Sequence, residues 1–168
     1  MGAFDKVIGY QSIKEELLQI CDMIQNPDIY RPLGAQIPHG VMLYGPPGIG
    51  KTLMAECLIE ACSLPVYRIR KDMGAGRLVP KIKESFQSAK EHTPSVILLD
   101  DLDKFSNEDT RRCDTEEYVS VQAGIDAVKD SRILVIATVN NIRKLPQSLI
   151  RSGRFDRKIR LDPPGKTD

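Results

Sequence analysis

The residues with the clearest chemistry lie at positions 45–52, which read Gly-Pro-Pro-Gly-Ile-Gly-Lys-Thr. Two glycines that bracket four residues and precede Lys and Thr form the pattern of a loop whose backbone N–H groups bind phosphates. We expect Lys51 to reach the β- and γ-phosphates of a nucleoside triphosphate and the Thr52 hydroxyl to hold Mg²⁺. The other interpretation is a plain Gly-Pro-rich turn before a helix. The predicted nucleotide contacts are Pro46, Pro47, Gly48, Ile49, Gly50, Lys51, Thr52 and Leu53.

Two carboxylates follow an apolar run later in the chain. Asp100 and Asp101 come directly after residues 96–99, Val-Ile-Leu-Leu. The carboxyl end of a central strand borders the ligand crevice in an open α/β sheet. We therefore predict that Asp100 supports Mg²⁺ and that Asp101 orients the attacking water. The alternative is that both acids begin a solvated loop, because more acids follow from Asp103 onward.

An amide and two arginines complete the set of candidate catalytic residues. Asn140 follows the apolar run 133–138, and it faces the γ-phosphate if that strand lies between the phosphate-loop strand and the one that ends at Asp100. Otherwise it is an Asn that ends a strand and opens a turn. Arg151 and Arg154 are either helix-end cations or arginines supplied in trans to the γ-phosphate of a neighbouring subunit.

Five strand candidates alternate with helices, which is the signature of a parallel sheet covered on both faces. Residues 41–44, 96–99 and 133–138 are nearly continuous apolar runs, as in central strands. Residues 66–70 and 158–161 alternate apolar with charged side chains, as in edge strands. We predict an α/β fold, a P-loop NTPase three-layer αβα sandwich with a five-stranded parallel sheet in the order 5-1-4-3-2. The predicted helix after the phosphate loop spans 52–62, and prolines mark 26–40 as an irregular connection. The other apolar helical stripes are Ile13, Leu17, Ile20 and Ile24; Ile82, Phe86 and Ala89; and Tyr118, Val121, Ile125 and Val128.

The length and composition of the chain limit the number of domains and the classes of partner. A chain of 168 residues that is 41% hydrophobic is one domain, and a net charge of +1 implies neither nucleic acid nor an anionic membrane as a partner. The four cysteines lack metal-ligand spacing, and three of them lie on apolar helical stretches as small core residues would. We expect a reduced, cytoplasmic location, no membrane contact by this segment and no metal other than Mg²⁺.

Together these motifs resemble the AAA ATPases, particularly the clade of FtsH-like protease ATPases and Cdc48-type segregases, over nearly the whole chain. Residues 4–9 are similar to the opening motif of the family, which implies that Ile8 and Gly9 border adenine. The remaining matches are the Walker A motif at 45–52, the Walker B motif at 96–101, sensor 1 at Asn140, and the arginine fingers at Arg151 and Arg154.

The resemblance implies binding and hydrolysis of ATP with Mg²⁺, a hexameric ring in a longer parent protein, and remodelling or unfolding of protein partners. It also implies that residues 1–168 are the large nucleotide-binding subdomain, with the C-terminal helical lid absent. We then expect the isolated fragment to be a monomer with weak activity. Whether the parent carries a membrane anchor or a protease domain stays open.

Two departures from the family leave alternatives. Asp101 stands where the family usually has Glu, so a second hypothesis is an ATP-binding assembly module with little or no hydrolysis. The substrate-gripping loop of the family corresponds to residues 71–77, which lack an aromatic; Met73 either replaces it or lies in a plain surface loop. The loop 107–115, which contains Arg111 and Arg112, is read as a solvated loop rather than a pore lining. A P-loop kinase or switch GTPase ranks lower, because neither explains Asn140 or the run Ser-Gly-Arg-Phe-Asp at 152–156.

Overall fold

A computed structural model describes residues 2–71, 77–106, 115–151 and 153–163. In these residues the strands form a single parallel sheet with the spatial order β2-β3-β4-β1-β5. The predicted order 5-1-4-3-2 is therefore confirmed. The strands are β1 (Gly40–Tyr44), β2 (Val66–Arg70), β3 (Ser95–Asp100), β4 (Ile133–Val139) and β5 (Arg157–Arg160).

The helices connect these strands as the apolar stripes predict. Short 3₁₀ turns also occur at Arg31–Leu33, Leu102–Lys104 and Ile142–Lys144. None of the helices in the described ranges has the length and apolar character that crossing a membrane requires. The helices are α1 (Gln11–Gln25), α2 (Pro27–Tyr30), α3 (Lys51–Cys62), α4 (Leu78–Glu91), α5 (Glu116–Val128) and α6 (Gln147–Ile150).

The segment 26–40, which the prolines mark as irregular, is more ordered than predicted. It contains the single turn of α2 and the 3₁₀ turn that follows it. Pro27 is at the first position of α2 and Pro32 lies in the first turn of the 3₁₀ helix. Proline is tolerated there because its missing N–H would have no partner at a helix start. Pro27 and Pro32 therefore mark the starts of short helices, and not an interruption of regular structure as predicted.

The sheet is the middle layer of three. Val41 and Leu43 pack in one apolar cluster with residues of α1 and α3, whereas Met42 packs in a second cluster with residues of α4 and α5. Successive side chains of a strand point to opposite faces, so both faces of β1 are covered. The predicted sandwich is confirmed.

The burial of the strands agrees with their places in the sheet. All residues of β3 and β4 are buried, and β1 is buried except at its last residue. The edge strands β2 and β5 bury one residue each, Ile69 and Ile159. A strand between two neighbours and two helical layers has little contact with water, which explains the continuous apolar runs.

Parallel pairing brings the carboxyl ends of the strands together. Tyr44 pairs with Val139, and Arg70 pairs with Asp100. The predicted site residues that follow β3 and β4 therefore lie at one edge of the sheet, the carboxyl edge.

At the opposite edge of the sheet, the Asp156 carboxylate accepts the Gly40 N–H at 2.9 Å. This hydrogen bond connects the start of β1 to the segment before β5.

Three cysteines are buried and free: Cys21, Cys57 and Cys62. The sulfur atoms of Cys21 and Cys62 lie 2.8 Å apart between α1 and α3. Burial raises the pKa of the Cys57 thiol. These three residues act as the small core side chains that the sequence predicts. Cys113 lies outside the described residues, as do Met73, Arg111 and Arg112.

Candidate functional site

The loop at 45–52 joins β1 to α3. Gly48 and Gly50 have φ angles of 82° and 91°, a left-handed conformation that glycine adopts without a steric penalty. Gly50 is the N-cap of α3, and its side chain, a hydrogen, provides no cap. The first amide N–H groups of a helix lack partners within the helix and favour an anion. The geometry therefore suits a bound phosphate.

Lys51 is the first residue of α3, and only 5% of it is exposed. Its Nζ donates to the carbonyl oxygen of Gly45 at 2.8 Å and to that of Pro46 at 2.6 Å. Burial lowers the pKa of Lys51, while the nearby carboxylates of Asp101 and Asp103 oppose this shift. The ammonium group is thus held inside the phosphate loop by the backbone of that loop.

The Asp100 carboxylate accepts hydrogen bonds from two hydroxyl groups. Its Oδ1 accepts from Thr52 Oγ1 at 3.1 Å and from Thr138 Oγ1 at 2.7 Å. The two predicted Mg²⁺-binding residues, Thr52 and Asp100, are therefore in contact although they lie 48 positions apart. Hydroxyl and carboxylate oxygens are ligands that Mg²⁺ prefers.

This small donor set fits Mg²⁺ that is held together with a nucleotide. Mg²⁺ usually keeps several waters and binds one or two protein oxygens plus phosphates. Within the described part of the chain, no cluster of three or more His, Cys, Asp or Glu side chains is arranged to hold a metal ion. The oxygen atoms of Thr52 and Asp100 fit a Mg²⁺ ion that also binds phosphate oxygens.

Asp101 has an unusual backbone conformation, with φ 54° and ψ 52°. Left-handed conformations are uncommon for residues other than glycine and carry strain, and they often occur at functional sites. The Asp101 N–H donates to Thr138 Oγ1 at 2.9 Å. Its Oδ2 lies 3.6 Å from Arg70 Nη2 and 3.8 Å from Lys104 Nζ. The predicted water-orienting carboxylate is thus placed between two cations.

Two positioning residues were not predicted from the sequence. Thr138 is fully buried in β4 and bonds to both Asp100 and Asp101. It is the single polar residue of β4, Ile-Leu-Val-Ile-Ala-Thr-Val, and that exception was the available signal. Asp103 entered the sequence analysis only in the alternative in which the acids begin a solvated loop. Instead it is buried, because the 3₁₀ turn after β3 places it against the end of β4.

The buried carboxylate of Asp103 holds the segment that carries Asn140. Its Oδ1 accepts the Asn140 N–H at 3.2 Å, and its Oδ2 accepts the Asn141 N–H at 3.0 Å. Since β4 lies between β1 and β3, Asn140 follows the strand next to the phosphate-loop strand. Its side chain is half-buried. Asp103 thereby fixes the backbone from which the Asn140 amide projects.

The two arginines differ in their surroundings. Arg151 follows α6 and is exposed. Arg154 is half-buried and forms a two-point contact with the Asp126 carboxylate on α5, at 3.2 and 2.9 Å. It also donates to the Ser148 carbonyl at 2.5 Å. Arg154 is therefore bound within its own subunit, and the structure does not bring either arginine into the cluster around Asp100.

The residues predicted to border adenine lie just before α1. Ile8 is 86% exposed, and Gly9 has a φ of 80°. The Tyr10 hydroxyl donates to the Asp162 carbonyl at 2.6 Å, which ties this turn to the segment after β5. Leu53, in the first turn of α3, also exposes a large apolar side chain.

Comparison with known proteins agrees with this geometry. Residues 41–163 match the family described as "ATPase family associated with various cellular activities (AAA)". The chain is 34% identical to the ATP-dependent zinc metalloprotease FtsH 3 of Symbiobacterium thermophilum, over 96% of this chain and 28% of that protein. It is 35% identical to the ATP-dependent zinc metalloprotease FtsH of Marinobacter nauticus, over 95% of this chain and 27% of that protein. The chain therefore spans little more than a quarter of the length of these relatives. From the phosphate loop, the carboxylate pair and these similarities together, the chain belongs to the AAA ATPase family and is an ATPase domain of the FtsH-like type.

Proposed function

We propose that this chain is the large nucleotide-binding subdomain of an AAA ATPase, which binds ATP with Mg²⁺ and hydrolyses it to ADP and phosphate. The observation that carries the proposal is the contact of Thr52 with Asp100, 3.1 Å between the two oxygen atoms. This contact lies in the first turn of α3, next to the buried ammonium group of Lys51. A metal-binding oxygen pair beside a phosphate-binding loop is what hydrolysis of a nucleoside triphosphate requires.

Each residue has a role that follows from its chemistry. Lys51 and the first N–H groups of α3 bind phosphate oxygens, and Thr52 and Asp100 hold Mg²⁺. When bound, Mg²⁺ offsets the negative charge on the phosphate oxygens. The Asp101 carboxylate orients a water molecule and accepts its proton while the water oxygen bonds to the γ-phosphorus. The bond from that phosphorus to the β–γ bridging oxygen breaks, and ADP leaves.

The base of the nucleotide is assigned to the turn before α1. Large apolar side chains that stay exposed are candidates for contact with an apolar ligand surface. Ile8 and Leu53 have this property, and the left-handed Gly9 leaves its backbone without a side chain that would block a close approach. These features support contact of Ile8, Gly9 and Leu53 with the nucleotide.

We also propose that the parent protein forms a ring in which an arginine acts on the neighbouring subunit's ATP. Of the two candidates, Arg151 is exposed, whereas Arg154 is bound to Asp126. This difference favours Arg151 as the residue that reaches a neighbour. Such a ring would use the hydrolysis cycle to remodel or unfold protein partners, in keeping with the ATP-dependent proteases to which the chain is similar.

A second candidate function is an ATP-binding assembly module with little hydrolysis. The observation that favours it is the environment of Asp101. Its side chain is one methylene shorter than that of the Glu usual at this position, and Arg70 and Lys104 lie within 4 Å of its carboxylate. These two cations attract the same carboxylate oxygens that would have to bind the attacking water.

Nucleotide binding is tested first, with a fluorescent ADP analogue and the variant Lys51→Ala. Loss of a charged hydrogen-bond donor to phosphate costs about 1.5–3 kcal/mol, which is roughly a 10- to 150-fold loss of affinity. Lys83→Ala, which removes an exposed lysine of α4, is the matched control and should leave the affinity unchanged. Equal affinities of all three proteins would overturn the assignment of the phosphate loop.

Steady-state release of phosphate by the longer parent protein then separates the two candidate functions. An active ATPase shows turnover that rises with protein concentration, and Arg151→Ala should lower it by about 10³-fold or more if the arginine acts in trans. Negligible turnover despite tight binding, with a large gain in Asp101→Glu, would instead identify the assembly module. Turnover that is independent of both protein concentration and Arg151 would contradict action between subunits.

A further inference from the structure

Arg70 brings a positive charge to both carboxylates of the site. It is the last residue of β2 and pairs in register with Asp100, the last residue of β3. Its Nη1 lies 3.7 Å from Asp100 Oδ2, and its Nη2 lies 3.6 Å from Asp101 Oδ2. These distances exceed those of hydrogen bonds, so the attraction is chiefly between charges. One guanidinium group thus spans the two carboxylates.

Arg70 is the exposed member of this group of charges. Its side chain is 61% exposed, whereas those of Asp100 and Asp101 are 9% and 17% exposed. It reaches the carboxylates from the edge of the sheet, beside a cavity of about 650 Å³ that Thr52 and Asp100 also line. The Asp100 carboxylate is held by the hydroxyl groups of Thr52 and Thr138, whereas the Arg70 guanidinium is the solvent-exposed partner.

We propose that Arg70 is a cation built into the chain that competes with the divalent cation for Asp100 and Asp101. This proposal rests on the proposed nucleotide site and adds a form of regulation to it. The guanidinium carries one positive charge, so it offsets part of the negative charge of the two carboxylates whenever Mg²⁺ is absent. A divalent cation at the same carboxylates meets its repulsion or displaces it.

The consequence is a weak dependence of nucleotide affinity on Mg²⁺. Without Mg²⁺, Arg70 reduces the repulsion between the carboxylates and the phosphates of ADP. With Mg²⁺, Arg70 opposes the added charge. Because solvent screens an exposed arginine, the effect is modest, about three- to tenfold in the ratio of the two affinities.

Arg68 offers a matched control. It lies two residues earlier in β2, and alternate residues of a strand face the same side of the sheet. Its guanidinium forms a two-point contact with Glu56, at 2.9 and 2.7 Å, and the same cavity is lined by both arginines. Arg68→Ala and Arg70→Ala each remove one positive charge from that cavity, and Arg70 is the one paired with Asp100 and Asp101.

The experiment measures the dissociation constant of a fluorescent ADP analogue in chelator and in saturating Mg²⁺, for the unmodified chain and both variants. The readout is the ratio of the constant in chelator to that in Mg²⁺. Arg70→Ala should raise this ratio about three- to tenfold, and Arg68→Ala should change it less than about twofold. Arg70→Lys, which keeps the charge, should resemble the unmodified chain more closely than Arg70→Ala does.

The outcomes distinguish the two proposals. If the unmodified chain binds the analogue in neither condition, the nucleotide site itself is wrong and the role of Arg70 is overturned with it. If the analogue binds but the ratio is unchanged in Arg70→Ala, or rises equally in Arg68→Ala, only the role of Arg70 is overturned. Urea unfolding of both variants establishes that they are equally well folded.

Discussion

Replacement of Thr138 by valine tests the network at the carboxyl ends of β3 and β4. The Thr138 hydroxyl is fully buried; it donates to Asp100 Oδ1 at 2.7 Å and accepts the Asp101 N–H at 2.9 Å. Valine has nearly the same shape, so the change removes the hydroxyl without opening a cavity. Asp100 keeps its contact with Thr52 at 3.1 Å, whereas the Asp101 N–H loses this acceptor.

The expected cost follows from these contacts. The hydrogen bond that the hydroxyl donates to the charged Asp100 carboxylate is worth about 1.5–3 kcal/mol. The added methyl group returns part of this, because burying one such group contributes about 0.8 kcal/mol. We expect the free energy of unfolding to fall by about 0.7–2.2 kcal/mol. With an m value of about 2 kcal/mol/M in urea, the midpoint falls by roughly 0.4–1.1 M.

The assay is urea unfolding followed by circular dichroism. Thr138→Ser is the control, because it keeps the hydroxyl and loses one buried methyl group, a cost of about 1 kcal/mol. Thr138→Val is also made in an Asp100→Ala chain. There the decrease in unfolding free energy caused by Thr138→Val should be smaller by about 0.5 kcal/mol or more, because residues 100 and 138 interact. A Thr138→Val chain within about 0.5 kcal/mol of the unmodified protein would refute the role of this hydroxyl.

Two further predictions concern the helical layer of α4 and α5. In Gly124→Ala, the new Cβ would lie 2.5 Å from Cδ2 of the buried Phe86 ring. Thermal unfolding should therefore show a decrease of about 1–3 kcal/mol in the free energy of unfolding, although alanine ordinarily stabilises a helix by about 1 kcal/mol relative to glycine. A higher melting temperature than that of the unmodified chain would contradict the close packing. Burial raises the pKa of Tyr118 above its ordinary 10.0. As the pH rises, the unfolded chain therefore loses the Tyr118 hydroxyl proton before the folded chain does. The contribution of Tyr118 to stability is complete below pH 10.0 and is lost as the pH rises further. The difference in unfolding free energy between the unmodified chain and Tyr118→Phe should therefore fall as the pH rises from about 10 to about 11, by at most about 1.4 kcal/mol per pH unit, and a constant difference would contradict it.

Which strands are central and which lie at the edges was predictable because the burial of a strand is reflected in its sequence, and the phosphate loop then selected the order 5-1-4-3-2 that P-loop sheets have. The apolar runs of β1, β3 and β4 reflect contact with a neighbour on each side and a helix on each face. The charged alternation Tyr-Arg-Ile-Arg in β2 reflects an edge. The prolines of residues 26–40 were harder to interpret, since proline both ends one helix and begins the next.

The contacts around the carboxylates were not predictable in the same way. Thr138 lies 38 residues from Asp100, and Asp103 lies 37 residues from Asn140. Which of these side chains meet depends on the order and register of β3 and β4, and a shift of one residue would turn every side chain to the other face. Asp103 illustrates this limit, because it lies between the charged residues Asp101 and Lys104 in the sequence, whereas its partners in space are two backbone N–H groups.

The phosphate loop, the carboxylate pair and the layered parallel sheet could be predicted from the sequence alone, because each depends on residues that are adjacent in the chain or repeat with a fixed period. Which groups surround those carboxylates depends on the folded arrangement of the chain. It brought the Thr138 hydroxyl and the Arg70 guanidinium to Asp100 and Asp101, and it bound Arg154 to Asp126 while it left Arg151 exposed. These contacts form between strands and helices that are distant in the sequence. They determine the charge and the hydrogen bonds of a site whose location could already be predicted from the sequence.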